Sequence, residues 1–269
     1  MDVSLAHRAP ANTHVDANAS AVEIPQYSRR KIMAVWAAAA LPMAALAWVV
    51  APVLAHGFDG DGNVPMAKAL IVSLTAGLIW QFVLVMALVW HEQRTLRWSV
   101  VREALRLRAP RSPTSGRKGG RLWLLVLPLI VALAVEEMIP QVAHPGSHDM
   151  ATFLESAAGQ EFLSGAWGWF AIIVAFGVFN TALGEELLFR GLLLPRMEGA
   201  FGRGDWLANG VLFGAYHLHV PWMILPSALI DTIALAYPAK RYRSTWIAIA
   251  AHSAQTVVIS LAVLGLVVS

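Results

Sequence analysis

Seven apolar segments, separated by short polar stretches, dominate the hydrophobic pattern of the chain. Most of them reach the ~20 residues that a helix needs to cross about 30 Å of hydrocarbon. Backbone polar groups inside a bilayer must be hydrogen-bonded within the protein, so such segments are expected to be helices. The predicted spans cover approximately residues 32–55, 66–90, 121–139, 165–189, 206–220, 222–238 and 245–267.

This pattern predicts an all-α fold, a polytopic transmembrane helical bundle of about seven spans. The composition agrees, because 57% of the residues are hydrophobic and only 14% are charged, whereas soluble domains carry about 25% charged residues. The fifth and sixth segments are short and meet at His219-Val220-Pro221, so their boundaries are the least defined. Residues 1–28 are polar and without a clear period, and we expect them to form a disordered cytoplasmic tail.

The basic residues form four clusters that alternate with the predicted spans. Cytoplasmic loops of membrane proteins carry an excess of Lys and Arg, so all four clusters are expected on the cytoplasmic side of a multi-pass integral membrane protein. The N-terminus is then cytoplasmic and the C-terminus outside, and the charge indicates topology and lipid contact, not nucleic-acid binding. The clusters lie at residues 29–31, in the loop 91–121, at Arg196 and Arg203, and at residues 240–243, whereas the loops 56–65 and 140–164 contain neither Lys nor Arg.

Ionisable residues within predicted spans are the candidates for chemistry, because a charge at mid-membrane costs at least ~2.5–3.5 kcal/mol on insertion scales. Glu185 and Glu186 follow each other near the end of the fourth segment. In a regular helix Glu186 and Arg190 share a face and can pair, while Glu185 points roughly 140° away from Arg190. Glu185 is therefore available as a general base. The alternative is an ordinary charged helix end at the membrane interface.

Two histidines and a polar group provide the other candidates. His217 lies in an apolar segment four residues after Phe213, and a regular helix would direct His219 to a different face. His252, Gln255 and Thr256 share one side of the last helix, where they could donate hydrogen bonds to a developing oxyanion. Packing and interhelical hydrogen bonding are the alternatives for both groups. Together with Glu185, the two histidines are the minimum set for activating water and polarising a carbonyl group.

These motifs resemble the CAAX-protease and bacteriocin-processing (CPBP, or ABI) family of intramembrane proteases. The resemblance rests on Glu-Glu-x-x-x-Arg at 185–190, Phe-x-x-x-His at 213–217 and the late histidine His252. It covers roughly residues 120–267. It implies a protease core at residues 121–269, preceded by the N-terminal spans and the basic cytoplasmic loop at 29–120.

By this resemblance, Glu185 and His217 bind and activate the attacking water, and His252 stabilises the oxyanion. Glu186 and Arg190 hold the helix end. The family usually has Asn four residues after the last histidine, where this chain has Thr256. Either Gln255 replaces that amide or oxyanion stabilisation is weaker. Asp231, within the sixth segment, also departs from the small residues usual there.

The sequence requires no cofactor. It contains no cysteine and no His-Glu-x-x-His pattern, so a thiolate site and the common helical zinc motif are both absent. Zinc remains possible, with Glu185, His217 and His252 as three ligands. That arrangement would leave no obvious base except Glu186, which faces Arg190, so a metal-free glutamate mechanism is slightly better supported.

The predicted function is that of an intramembrane endopeptidase that hydrolyses a peptide bond in or near the bilayer. Its partners are the lipid bilayer and a membrane-embedded or membrane-associated peptide or protein substrate. The alternative is a catalytically inactive scaffold or self-immunity protein of the same fold. A transporter using Glu185 and Asp231 as a proton relay is disfavoured, because no inverted repeat is present.

Overall fold

The fold class is confirmed as all-helical. A computed structural model describes residues 22–136, 138–139 and 146–269, and within them the only β pairing is an isolated bridge between Arg111 and Lys118. The seven predicted segments correspond to α1 (Arg29–Ala55), α2 (Val64–Gln93), α3 (Val126–Glu136), α4 (Trp167–Arg196), α5 (Asp205–Tyr216), α6 (Pro221–Arg241) and α7 (Thr245–Val268). Short helices occupy Trp98–Ala104, Met150–Glu155, Ala157–Leu163 and Glu198–Phe201.

Five helices, α1, α2, α4, α6 and α7, are long and apolar enough to cross a membrane in the described part of the chain. The α5 helix contains 12 residues, a rise of about 18 Å, whereas the hydrocarbon core measures about 30 Å. The α3 helix has 11 residues in the described part of the chain and follows a 3₁₀ helix at Gly120–Leu125, and it does not reach the length of the five long helices. Seven full spans are therefore not confirmed. The hydropathy pattern does not show where α5 ends, because apolar residues are found on both sides of the turn at His217–His219.

Large apolar side chains lie exposed on the outside of the long helices. Examples are Val53 on α1 and Val258 and Leu261 on α7, each more than half exposed. Apolar patches of this extent mark a protein or membrane contact. With five apolar helices of spanning length, they establish the chain as an integral membrane protein.

The four basic clusters meet at one end of the bundle, as the charge pattern predicts. Arg29 donates to the carbonyl of Ala200 at 3.2 Å. Arg108 donates to the carbonyl of Arg243 at 3.0 Å. The most buried of these contacts is the ion pair between the Arg196 guanidinium and the Glu92 carboxylate, 2.6 Å apart. This end, called the basic end below, therefore joins the termini of α1, α2, α4, α6 and α7.

The described part of the predicted tail lies against the basic end. Residues 22–28 are extended, and residues 1–21 lie outside the described part of the chain. Tyr27 is buried, its backbone N–H donates to the Arg196 carbonyl at 2.8 Å, and its hydroxyl donates to Glu92. Ser28 caps α1 by accepting from the Lys31 amide. These contacts fix the entry of the chain into α1.

The α5 and α6 helices pack closely through two glycines of α5. A Cβ at Gly214 would lie 2.5 Å from the Cβ of Ala228, and one at Gly210 would lie 1.8 Å from Oγ1 of Thr232. Small residues four apart allow helix backbones in membranes to approach closely. This contact holds α5, and with it the end that carries His217, against α6.

Candidate active site

Glu185 and Glu186 occupy an irregular part of α4. Residues Phe179–Gly184 before them and Leu187–Leu193 after them are π-helical, a distortion that occurs frequently at functional sites. The expected pair between Glu186 and Arg190 is present, with an Nη1–Oε1 distance of 3.1 Å and both side chains fully buried. Glu185 is buried as well.

Glu186 also contacts His252 from α7. The Nδ1 atom of His252 lies 3.0 Å from Oε1 of Glu186. Since a carboxylate accepts hydrogen bonds, Nδ1 of His252 carries the proton and the ring is oriented with Nε2 free of this contact. Helical spacing predicts only the pair between Glu186 and Arg190, because it says nothing about contacts with a distant helix.

His217 lies where α5 ends. The helix stops at Tyr216, and His217–His219 form a 3₁₀ turn. The rings of His217 and His219 consequently stack, with centroids 5.6 Å apart, whereas a regular helix would have separated them. Nδ1 of His217 lies 3.0 Å from the carbonyl oxygen of Phe213. A carbonyl can only accept, so Nδ1 carries a proton, and in the neutral ring the Nε2 lone pair is then available.

Phe213 is the aromatic centre around which these groups pack. Its ring contacts His217 edge-on at 4.9 Å between centroids and lies 6.4 Å from the ring of His252. The Arg190 guanidinium carbon lies 4.0 Å from the ring centroid, within cation–π range. The three elements predicted to supply the site, α4, the end of α5, and α7, therefore meet in one buried cluster.

Tyr216 and Gln81 connect to Glu185, although neither is among the residues that the sequence motifs predict. The Gln81 amide donates to the Tyr216 hydroxyl at 2.6 Å, and Tyr216 in turn interacts with the Glu185 side chain. Both residues are buried. Gln81 could have been identified from the sequence as an amide side chain within the second apolar segment, since polar groups inside a membrane are usually functional or paired. The hydrogen bond from Gln81 therefore connects the cluster to α2, a helix that contains none of the sequence motifs.

A second pair of buried acids, Glu136 of α3 and Asp231 of α6, lies beside the cluster. The Ser227 hydroxyl donates to Oε1 of Glu136 at 2.8 Å. Asp231 interacts electrostatically with Glu136 and with His252. Asp231 is therefore a neighbour of the cluster, and Glu136 is a further acid within the third apolar segment that lies outside the sequence motifs.

Thr256 is directed towards the packing contact between α4 and α7. Its hydroxyl lies 2.9 Å from that of Thr181 and 3.2 Å from the carbonyl oxygen of Gly177. A Cβ at Gly177 would lie 2.6 Å from Cγ2 of Thr256, so the helices touch here. Gln255 is half-buried on the same helix. Among the oxyanion donors suggested by the sequence, only His252 contacts the Glu186–Arg190 pair.

The histidine nitrogens and carboxylates of the cluster are the atoms that could bind a metal ion. Across residues 22–136, 138–139 and 146–269, no three His, Asp or Glu side chains form a group that could hold an ion. Nδ1 of His252 is engaged by Glu186 and Nδ1 of His217 by a backbone carbonyl, which leaves Nε2 as the only free nitrogen of each ring.

Comparison with known families connects this geometry to an activity. The family described as type II CAAX prenyl endopeptidase Rce1-like matches residues 167–258. The resemblance to the CAAX-protease family is confirmed over this segment. The Rce1-like segment runs from the start of α4 into α7 and contains all seven candidate site residues, but neither Gln81 nor Glu136. No curated protein and no solved structure matches the chain.

The Rce1-like match points to a peptide hydrolase of the CAAX-protease kind in a helical membrane protein. It does not favour the alternative of an inactive scaffold. It also agrees with a substrate that is itself membrane-bound.

Proposed function

We propose that the protein is an intramembrane endopeptidase in which Glu185 and His217 activate water and His252 stabilises the oxyanion. The observation that carries the proposal is the meeting of one carboxylate and two oriented imidazoles from three separate elements in a buried cluster. A general base that activates water and a donor that stabilises the oxyanion are the groups that enzymatic amide hydrolysis uses.

The proposed reaction begins with a water molecule held between Glu185 and Nε2 of His217. The water oxygen forms a bond to the scissile carbonyl carbon while its proton passes to Glu185. The carbonyl oxygen becomes an oxyanion and accepts a hydrogen bond from Nε2–H of His252. Collapse of the tetrahedral intermediate breaks the C–N bond, and the proton held by Glu185 moves to the leaving amine.

Glu186, Arg190 and Tyr216 act as positioning residues in this proposal. Glu186 orients the His252 ring through Nδ1 and is itself held by Arg190. Its negative charge favours the doubly protonated imidazolium, the form in which Nε2 can donate. Tyr216, held by Gln81, orients Glu185. Thr256 is assigned to helix packing, so the oxyanion depends on His252.

The scissile bond would be cut in the half of the membrane nearer the basic end. His252 lies seven residues after the start of α7 at Thr245, a rise of about 10 Å. With the basic end in the cytoplasm, as the charge pattern predicts, a suitable substrate is a membrane-embedded or membrane-associated peptide with its cleavage site near the cytoplasmic leaflet.

The experiment compares peptide cleavage by the purified wild type with that by His217→Gln and His252→Gln. The matched control is His91→Gln, because His91 is exposed at the end of α2, away from the cluster. We expect each site variant to lose at least about 100-fold in rate, the usual magnitude for a general acid–base or oxyanion group, while the control keeps its activity. Wild-type activity in either folded site variant would contradict the proposal.

A further inference from the structure

A cationic cavity at the basic end lies outside the proposed catalytic cluster. It has a volume of about 620 Å³ and is bounded by the loop after α2 and by the loop between α6 and α7. Five of the side chains that line it are cationic: Arg102, Arg108, Arg111, Lys118 and Arg243. The proposed peptidase mechanism uses none of them.

The positive charge of the cavity exceeds what the protein neutralises. Glu103 is the one carboxylate of the lining and lies 3.4 Å from Arg108. Within the described ranges, Arg111, Lys118 and Arg243 form no ion pair with a carboxylate. An excess of cations held together at one place attracts an anion, and arginine in particular matches the oxygens of phosphate.

The cavity wall is held in a strained backbone conformation. Arg243 has a φ of 51° and the neighbouring Arg106 a φ of 50°, the left-handed region that residues other than glycine rarely adopt. The Thr245 amide donates to the Arg106 carbonyl, and the Ser244 hydroxyl donates to the Arg108 carbonyl at 2.5 Å. Strain that is maintained by such contacts is typical of functional sites.

An adjoining cavity of about 460 Å³ shares Arg243 and contains Arg106. Nε of Arg106 is buried without a hydrogen-bond partner among the described residues. Burial and the nearby charges of Arg243 and Arg108 lower the pKa of Arg106 to about 10. A bound anion would offset this repulsion. Glu198 and Asp205 also line this second cavity, and Lys240 pairs with Asp205, so the first cavity is the more positive of the two.

Two tryptophans indicate that the anion belongs to a lipid. Trp98 and Trp246 line the first cavity and are 61% and 39% exposed. Tryptophan is enriched where the hydrocarbon core meets the headgroups. Trp246 also lies in the first turn of α7, whose exposed apolar residues continue away from the cavity, a surface suited to acyl chains. We propose that this cavity binds the phosphodiester headgroup of an anionic phospholipid.

Native mass spectrometry of the full chain in detergent provides the test. Phosphatidylglycerol and phosphatidylcholine with the same acyl chains are titrated separately, and the dissociation constant of the first bound lipid is measured. The cavity variant is Arg111→Gln with Lys118→Gln. The matched control is Arg97→Gln with Arg117→Gln, which removes the same charge from exposed positions that do not line the cavity.

We expect wild type to bind phosphatidylglycerol at least tenfold more tightly than phosphatidylcholine. The cavity variant should lose affinity for phosphatidylglycerol by about 25-fold, the effect of two cations near a membrane surface, while the control variant loses less than threefold. An equal loss in both variants, or equal binding of the two lipids, would overturn the proposal. Full displacement of phosphatidylglycerol by millimolar inorganic phosphate would also overturn it, because the cavity would then be a site for soluble anions.

Discussion

Glu186 is the residue on which the buried charges of the site converge. One of its oxygens lies 3.1 Å from Arg190 and 3.0 Å from His252, and all three side chains are buried. Arg190 lies on the same helix as Glu186, α4, whereas His252 lies on α7. The Glu186 carboxylate therefore couples the geometry of α4 to that of α7. Glu185 next to it interacts with Tyr216 and forms no ion pair within the described residues.

This difference predicts separate stability effects for the two glutamates. Glu186→Gln leaves the Arg190 guanidinium buried without a counter-charge and should lower the free energy of unfolding by about 3–5 kcal/mol. Glu185→Gln keeps an acceptor for Tyr216 and should lower it by about 1 kcal/mol or less. Unfolding in mixed detergent micelles measures both. Equal losses for the two variants would show that Glu186 does not hold the site together.

Thr256 provides the second prediction at this scale. If its hydroxyl serves helix packing, Thr256→Val should keep the shape of the contact and cost about 0.6 kcal/mol, the average for a polar pair between membrane helices. Peptide cleavage should stay within about twofold of wild type. A folded Thr256→Val variant with a rate 10²–10³-fold lower, the usual loss of an oxyanion donor, would instead assign the hydroxyl to the reaction.

The motif residues could be found from the sequence because each is a polar group in an apolar segment. The pair between Glu186 and Arg190 followed from helical spacing. The contact of Glu186 with His252 could not be predicted, because it depends on how α4 and α7 pack. Gln81 and Glu136 met the same criterion of polarity in a span, but they lie outside the motifs that carried the resemblance.

Irregular helix geometry positions the site at the scale of elements. The π-helical turns around Glu185 and Glu186 and the 3₁₀ turn at His217–His219 depart from 3.6 residues per turn. Sequence reasoning based on a regular helix therefore separated His217 from His219, whereas their rings stack. The element order and the all-helical class were predictable from hydropathy, but these local distortions were not.

The close contact between α5 and α6 predicts a sensitive glycine. Gly214→Ala places a Cβ 2.7 Å from backbone atoms of Ala228, which no rotamer change can relieve. The overpacking should cost about 1–3 kcal/mol, and displacement of His217 by about 1 Å should lower the cleavage rate about 100-fold. Unfolding and cleavage assays on the same preparation measure both effects.

Gly265→Ala on α7 is the control for this substitution. Beyond the backbone of its own helix and its chain neighbours, no atom of the described residues lies within 4 Å of the added Cβ, so the stability should be unchanged or rise by up to about 1 kcal/mol. If Gly214→Ala were as stable and as active as Gly265→Ala, the contact between α5 and α6 would not position the site.

The sidedness of the whole molecule can be tested because the chain contains no cysteine. A single cysteine at Ser115 reports the basic end, and one at Asp61 reports the loop between α1 and α2. The charge pattern places the basic end in the cytoplasm. A membrane-impermeant maleimide should therefore label Asp61→Cys in intact cells and Ser115→Cys only after permeabilisation. The opposite labelling would invert the orientation proposed for the substrate.

The most direct test of the proposed mechanism is the cleavage of an unbiased pool of membrane-derived peptides by detergent-purified wild type, Glu185→Gln and Glu161→Gln. Glu161 is an exposed glutamate on the opposite end of the bundle, so its variant is the matched control. Mass spectrometry of the products, with and without a strong chelator, identifies each cut. We predict cuts made by wild type and Glu161→Gln, absent with folded Glu185→Gln, and unchanged by the chelator. Cleavage by Glu185→Gln at the wild-type rate, or activity lost to the chelator and restored by zinc, would contradict a glutamate-activated water.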